Sequence, residues 1–202
     1  MNEDAKAILE KKRRTQQTFI FELREIDGEV RRCCKVDYLA FLQFNSRAEN
    51  AVVQVKQLIA EYQDYEILDN LIIIFEDYNW RPHLVACVIL LLLDDVELYL
   101  ELLWSRIKHG SWVAPQLVAT ALLMDRDFTA KAERLLEDSG TSNRSVCAIA
   151  AIFEQLYPHK ELPPIELKFI SDEQTLLSKK ITIRWLSRVC SIMEIGNPLI
   201  KD

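Results

Sequence analysis

From residue 52 to residue 157 the apolar side chains recur at steps of three and four, in one segment after another, with a polar break between each. That period places them on one stripe of a helix, so the stretch is expected to fold as several helices laid against one another. Val52, Val55, Leu58, Ile59 and Tyr62 form the first stripe, and Ile67, Leu68, Leu71, Ile72 and Phe75 the second. Pro82 opens a segment that is apolar nearly all round and is expected to sit deepest. A proline is tolerated there because a first-turn N–H has no helical partner to lose. The apolar run 84–93 is about half the length that a bilayer span requires, and it meets Asp94 and Asp95 at once, so it predicts a buried helix. Only 4 Gly and 6 Pro punctuate the chain, too few for the tight turns of an all-β protein or for a Gly-rich phosphate loop.

Cap chemistry sets the expected boundaries. Asp94 with Glu97 predicts a capping box, after which Val96, Leu100, Leu103 and Ile107 share a stripe and Gly110 ends the helix. A helix over 112–124, a break at 125–127 and a helix running to Gly140 follow. Residues 141–143 start another helix, which runs to Tyr157 and stops at Pro158. At the front, residues 4–17 are good helix formers, while Phe19, Phe21 and Leu23 alternate. This predicts either one frayed helix or a helix followed by a short strand near 18–24, closed by Gly28. Residues 36–44 predict a short helix with turn and cap chemistry after it at Asn45, Ser46 and Asn50. Pro163 and Pro164 mark 158–170 as a linker, in which Ile165, Leu167 and Phe169 suggest a short strand over 164–170. Ser171 with Gln174 reads as a second capping box, opening a closing helix over 171–196 that carries Leu176, Ile183, Leu186, Cys190 and Met193 and ends toward Gly196 and Pro198.

An internal repeat organises the middle of the chain. Pro82, Leu84, Val85, Ala86 and Leu90 overlie Pro115, Leu117, Val118, Ala119 and Leu123 at an offset of 33 residues, with Trp80 and Trp112 out of step by one. A weaker third copy, Val146, Cys147, Ala148 and Ala150, lies a further 29 residues on. A two-helix unit of this kind cannot bury its apolar face alone, so neighbouring units must stack, and the small Ala lets helices approach closely. The Pro near the start of the first helix, the Leu-Val-Ala run and the Asp-led second helix resemble the HEAT and armadillo class of helical repeats over about residues 52–157. The 33-residue spacing also suits ankyrin repeats, but no T-P-L-H sequence occurs. The resemblance implies an all-α, short right-handed stack of antiparallel helix pairs, with a plain helical bundle as the alternative. On this reading residues 1–202 are one domain: a cap segment over 1–35, a repeat core over 50–157, the linker and the closing helix.

Charge is unevenly spread. Residues 1–36 hold 9 Lys and Arg against 7 Asp and Glu, residues 37–104 hold 3 against 12, and the remainder holds 13 against 12, for a formal net charge of -6. An acidic middle repels a phosphate backbone and suits a basic protein. The 5 Cys are an odd number without zinc-ligand spacing, which together with the lack of a secretory leader pattern leads us to expect free thiols and a reducing, cytoplasmic setting.

Signatures of catalysis are few. His83, His109 and His159 are the only histidines, and none sits in a nucleophile, metal or nucleotide motif. His83 follows a helix-opening proline, and His109 occupies a last turn, where the helix dipole favours a cation. Glu97 and Glu101 lie one turn apart on one face, yet no E-x-x-H partner exists for a di-metal bundle. Lys11, Lys12, Arg13 and Arg14 form a basic run without the aromatic interleaving that base stacking needs. Trp80 and Trp112 read as packing residues at helix entrances before partner contacts.

The expectation is therefore a non-enzymatic, cofactor-free and metal-free binding module, monomeric or weakly dimeric, with a protein partner and neither nucleic acid nor membrane. Asp64, Glu66, Asp69, Asp94, Asp95, Glu97 and Glu101 are the candidate docking surface, with Trp104 as an apolar anchor. In its most specific form the partner is a basic toxin and this chain an immunity or antitoxin protein. An assembly scaffold or adaptor is the alternative, followed by a helical-repeat enzyme acting on DNA bases.

Overall fold

In the computed structural model, residues 3–159 and 172–199 are described. Their elements run α1 (Glu3–Thr15), β1 (Phe21–Ile26), β2 (Glu29–Cys34), α2 (Tyr38–Gln43), α3 (Ala48–Ile59), α4 (Asp64–Glu76), α5 (Trp80–Leu92), α6 (Glu97–His109), α7 (Ala114–Met124), α8 (Phe128–Glu137), α9 (Asn143–Leu156) and α10 (Asp172–Met193). The fold is all-α with one minor two-stranded antiparallel hairpin, β1 to β2. None of these helices is long and apolar enough to cross a membrane.

Three helices have long stretches buried on every side and lie innermost. Pro82 to Leu90 of α5, Ala114 to Ala121 of α7 and Ser145 to Phe153 of α9 are buried without a break. A helix wrapped this way needs neighbours all round. Here α5 packs on α7 and α7 on α9, while α4, α6 and α8 each pack against the helix that follows them. The outer helices are one-sided: α4 buries Ile67, Leu71, Ile74 and Phe75, and α6 buries Leu100, Leu103 and Ile107. Leu84, Val85 and Ala86 of α5 and Leu117, Val118 and Ala119 of α7 all have no exposed surface. Trp80 and Trp112, near the starts of α5 and α7, meet with ring centroids 4.7 Å apart.

Helix α10 lies against α9 and α7 and reaches α2 and α3. Its buried stripe is Thr182, Trp185, Leu186, Val189 and Cys190, whereas Leu176, expected on that side, is exposed. Short helix α2 is held through its last carbonyls, which have no intrahelical donor. Trp185 Nε1 donates to Phe41 O at 2.8 Å, Gln116 Nε2 to Leu42 O at 3.0 Å and Arg188 Nη1 to Gln43 O at 2.7 Å. Phe44 then leaves the helix in the left-handed region at φ 47°.

Two local expectations are corrected. The β element expected near 18–24 is a hairpin that extends to residue 34, and Asp27 with Gly28 forms its turn. Helix α6 starts at Glu97 with Val96 at its cap, and no side chain caps it there. Asp94 is not the cap; Asp95 Oδ1 instead accepts from the Glu97 N–H at 3.3 Å, because the chain leaves α5 in extended form at Leu93 and enters α6 later than the sequence suggests. The strand expected over 164–170 and the Ser171 capping box lie outside the described residues.

Candidate functional site

The acidic residues singled out in the sequence divide between two places. Helices α4 and α6 pack against each other, and their first turns meet where Tyr99 Oη donates to Asp64 O at 3.5 Å. The Tyr99 hydroxyl is pushed above its ordinary range, first by burial and then by the charges of Asp64 and Asp95. Those two carboxylates therefore share one neighbourhood, at the end of the molecule where α4 begins and α5 passes into α6. Asp64, Asp69, Asp94, Asp95 and Glu97 are all exposed, and among the described residues none of them joins an ion pair. Two large apolar side chains stand in the same first turns, Tyr65 at 66% and Leu98 at 69% exposure.

The others do different work. Glu66 accepts from the Gln63 N–H at 2.9 Å and caps α4. Glu101 turns toward α8, where Lys131 Nζ lies 3.0 Å from both Glu101 Oε1 and Asp125 Oδ2. Trp104, expected as a surface anchor, is only 6% exposed. Its ring packs on Phe128, and its Nε1 donates to Asp125 Oδ2 at 2.6 Å. Burial works to raise the Asp125 carboxyl, but the bonds from Trp104, Lys131 and the Asp127 N–H overcome it and hold that carboxyl below the usual range. Trp104 is thus a core residue joining α6 to α8.

A second polar constellation went unread in the sequence because its members come from separate segments. His83 is fully buried. Its Nε2 lies 3.1 Å from Ile74 O and 3.2 Å from Asp77 O. Carbonyls only accept, so Nε2 carries the proton and Nδ1 is the acceptor. The Ser111 hydroxyl, 2.9 Å from Nδ1, is therefore the donor to the ring. Arg106, also buried, donates from Nη1 to Asp77 O at 3.0 Å and to Phe75 O at 3.3 Å. Burial and then the Arg106 charge lower the His83 imidazole to about 4. A ring so weakly basic, donating to main-chain carbonyls, is a poor acceptor for a serine proton in catalysis. It does tie the α4–α5 connection to the α6–α7 connection through Ser111.

Other expected features have ordinary partners. Arg13 pairs with Glu10, Arg14 with Glu76, and Lys11 sits over the Tyr78 ring, so most of the basic run 11–14 is engaged within the fold. His109 Nδ1 donates to Ser105 O at 2.8 Å within its own last turn. All five cysteines are free. Burial raises the thiols of Cys34, Cys147 and Cys190 and pushes Cys87 up to about 12, which keeps them protonated and weakly nucleophilic.

No family model matches this chain, and comparison with curated proteins and with solved structures gives no significant match.

Proposed function

We propose that the chain is a protein-binding module whose α4–α9 segment is a short right-handed HEAT-like stack of antiparallel helix pairs, and that its acidic end docks a basic protein. The pairs would be α4 with α5, α6 with α7 and α8 with α9, each of which packs together. The observation that carries the binding reading is the gathering of Asp64 and Asp95 around Tyr99, beside exposed Tyr65 and Leu98. Unpaired carboxylates around apolar contacts suit a cationic partner: the charges steer the approach, and the apolar side chains are desolvated on docking. Trp104 drops out of this surface, and Glu101 stands apart from it. In the most specific form of the proposal the partner is a basic toxin and the chain neutralises it.

The test is a pull-down from the cells of origin with the wild-type chain and with an Asp64→Lys, Asp94→Lys, Asp95→Lys variant. Only the wild type is expected to retain a basic protein, and retention should fall as salt rises, because surface charges are screened over about 8 Å at physiological ionic strength. Equal retention by the charge-reversed variant would refute the proposal. So would recovery of acidic partners alone.

A further inference from the structure

The hairpin leaves one edge open. Asp27 and Gly28 have φ of 53° and 78°, the signature of a two-residue type I′ turn. Its closing pair, Ile26 and Glu29, exchanges both ladder bonds, and the alternation of an antiparallel pair then makes Arg24–Arg31 and Glu22–Cys33 the other bonded pairs. The pattern holds past the strand ends, where the Lys35 N–H donates to Ile20 O at 2.8 Å. The main-chain groups of Val30, Arg32 and Cys34 therefore point away from β1, and among the described residues they have no backbone partner. Two strands alone are marginal in water, and Val30 is 70% exposed. An edge of this kind is a template for a further strand.

A cleft of about 410 Å³ lies beside it. Strand β2 gives three consecutive residues to its wall, Arg32, Cys33 and Cys34, while β1 gives only Phe21. Tyr38, Leu39 and Arg81 come from the starts of α2 and α5. Arg32 and Arg81 make no ion pair among the described residues; Arg32 Nη1 donates to Gln16 O, and Arg81 rests 4.7 Å over the Trp80 ring. The single acid of the wall, Asp37, is already paired with Arg47 at 2.9 Å. Unfilled main-chain groups, a neighbouring cleft and two guanidinium groups with no carboxylate partner among the described residues converge here.

We infer that this edge of β2 docks an acidic extended peptide segment as a third strand. The segment's backbone bonds to Val30, Arg32 and Cys34, and its alternate carboxylates face Arg32 and Arg81, which favour the planar, two-oxygen geometry of a carboxylate. The site is distinct from the acidic end of the molecule. It lies at the start of α5, whose 13 residues separate the two by about 20 Å, so either reading can fail without the other.

The experiment is fluorescence anisotropy on the full chain with a labelled, end-blocked short peptide of alternating glutamate and valine. Saturable binding is expected, weakened by about tenfold or more in Arg81→Glu. Arg32→Pro removes an outward-pointing N–H without breaking a ladder bond, and it should weaken binding beyond Arg32→Gln, which removes only the charge. Circular dichroism confirms that the helical body of each variant is intact. Three results would overturn the inference: no saturable binding, equal binding of a lysine–valine peptide or of the glutamate–valine peptide with alternate amides N-methylated, and equal affinity of Arg32→Pro and Arg32→Gln. Displacement of the peptide by an oligothymidylate of equal charge would overturn it too, assigning the cleft to nucleic acid.

Discussion

The buried imidazole of His83 makes acid stability the sharpest test of the fold. In the unfolded chain this ring has its ordinary value of 6.5, and in the folded protein it is lowered to about 4 by burial and by Arg106. Above pH 6.5 the ring is neutral in both states and its stabilising contribution is complete. As the pH falls below that value the unfolded chain takes up the proton first, so stability declines until the folded ring is protonated near 4. The interval is worth about 3 kcal/mol, a large share of the roughly 5–15 kcal/mol that holds a domain together. Solvent does not screen the ring, because His83 has no exposed surface. The comparison is His83→Gln, which keeps an amide donor for the Ile74 and Asp77 carbonyls but does not titrate. Urea unfolding of both proteins from about pH 7 to about pH 4 should show the wild type losing about 3 kcal/mol more than the variant. Carboxylates that titrate in the same range are common to both and cancel. Parallel stability curves would refute the reasoning and would mean that the ring is already charged, or exposed to water, in the folded state.

Three further outcomes follow from particular contacts. Trp104→Phe keeps the ring against Phe128 but removes the donor to buried Asp125, so thermal unfolding should show a loss of about 1–3 kcal/mol, and an unchanged melting temperature would contradict the bond. Gly110 has φ 83°, and a Cβ there would fall 2.4 Å from Ser142 Oγ; Gly110→Ala should cost at least about 1–3 kcal/mol through backbone strain alone, and Ser142→Gly should restore part of that cost in the double variant by relieving the clash. Cys87, with its thiol pushed up to about 12 and fully enclosed, should resist aromatic disulfide reagents in the native protein and react only on unfolding, whereas rapid native labelling detected by mass spectrometry would place it in an accessible environment.

The helices were legible because their residues carry the pattern locally. Pro82 and Pro115 mark helix starts, the run from Leu84 to Leu90 announces a buried helix, and Gly110 supplies a positive-φ exit. The hairpin was half legible. Glu22, Arg24, Glu25, Arg31 and Arg32 lie on exposed strands, so no buried face imposes a clear alternation, and the turn pair Asp27–Gly28 was the one available signal for the second strand. Trp104 was misplaced for a different reason. Its stripe neighbours are visible in the sequence, but its burial depends on Phe128 and Asp125, which only the packing of α8 brings beside it. The His83 constellation was beyond local reading, since Arg106 reaches it from the last turn of α6 and Ser111 from the α6–α7 connection. As for the acidic residues, composition showed that residues 37–104 were negative, yet only the packing of α4 on α6 puts Asp64 and Asp95 near Tyr99, and only the packing of α8 puts Lys131 beside Glu101.

The three carbonyls at the end of α2 bear on how the protein is made. Their donors, Gln116, Trp185 and Arg188, are encoded far downstream, the last of them 145 residues after its acceptor. A growing chain emerging from the ribosome therefore carries a short helix whose exit cannot be completed until residue 188 has been made, and the wait lasts about 7–30 s at ordinary elongation rates. Until then Phe41 and Phe44, destined for the interior, lack their final cover from α10, so loss of that helix is a defect felt 144 residues upstream of Trp185, at α2.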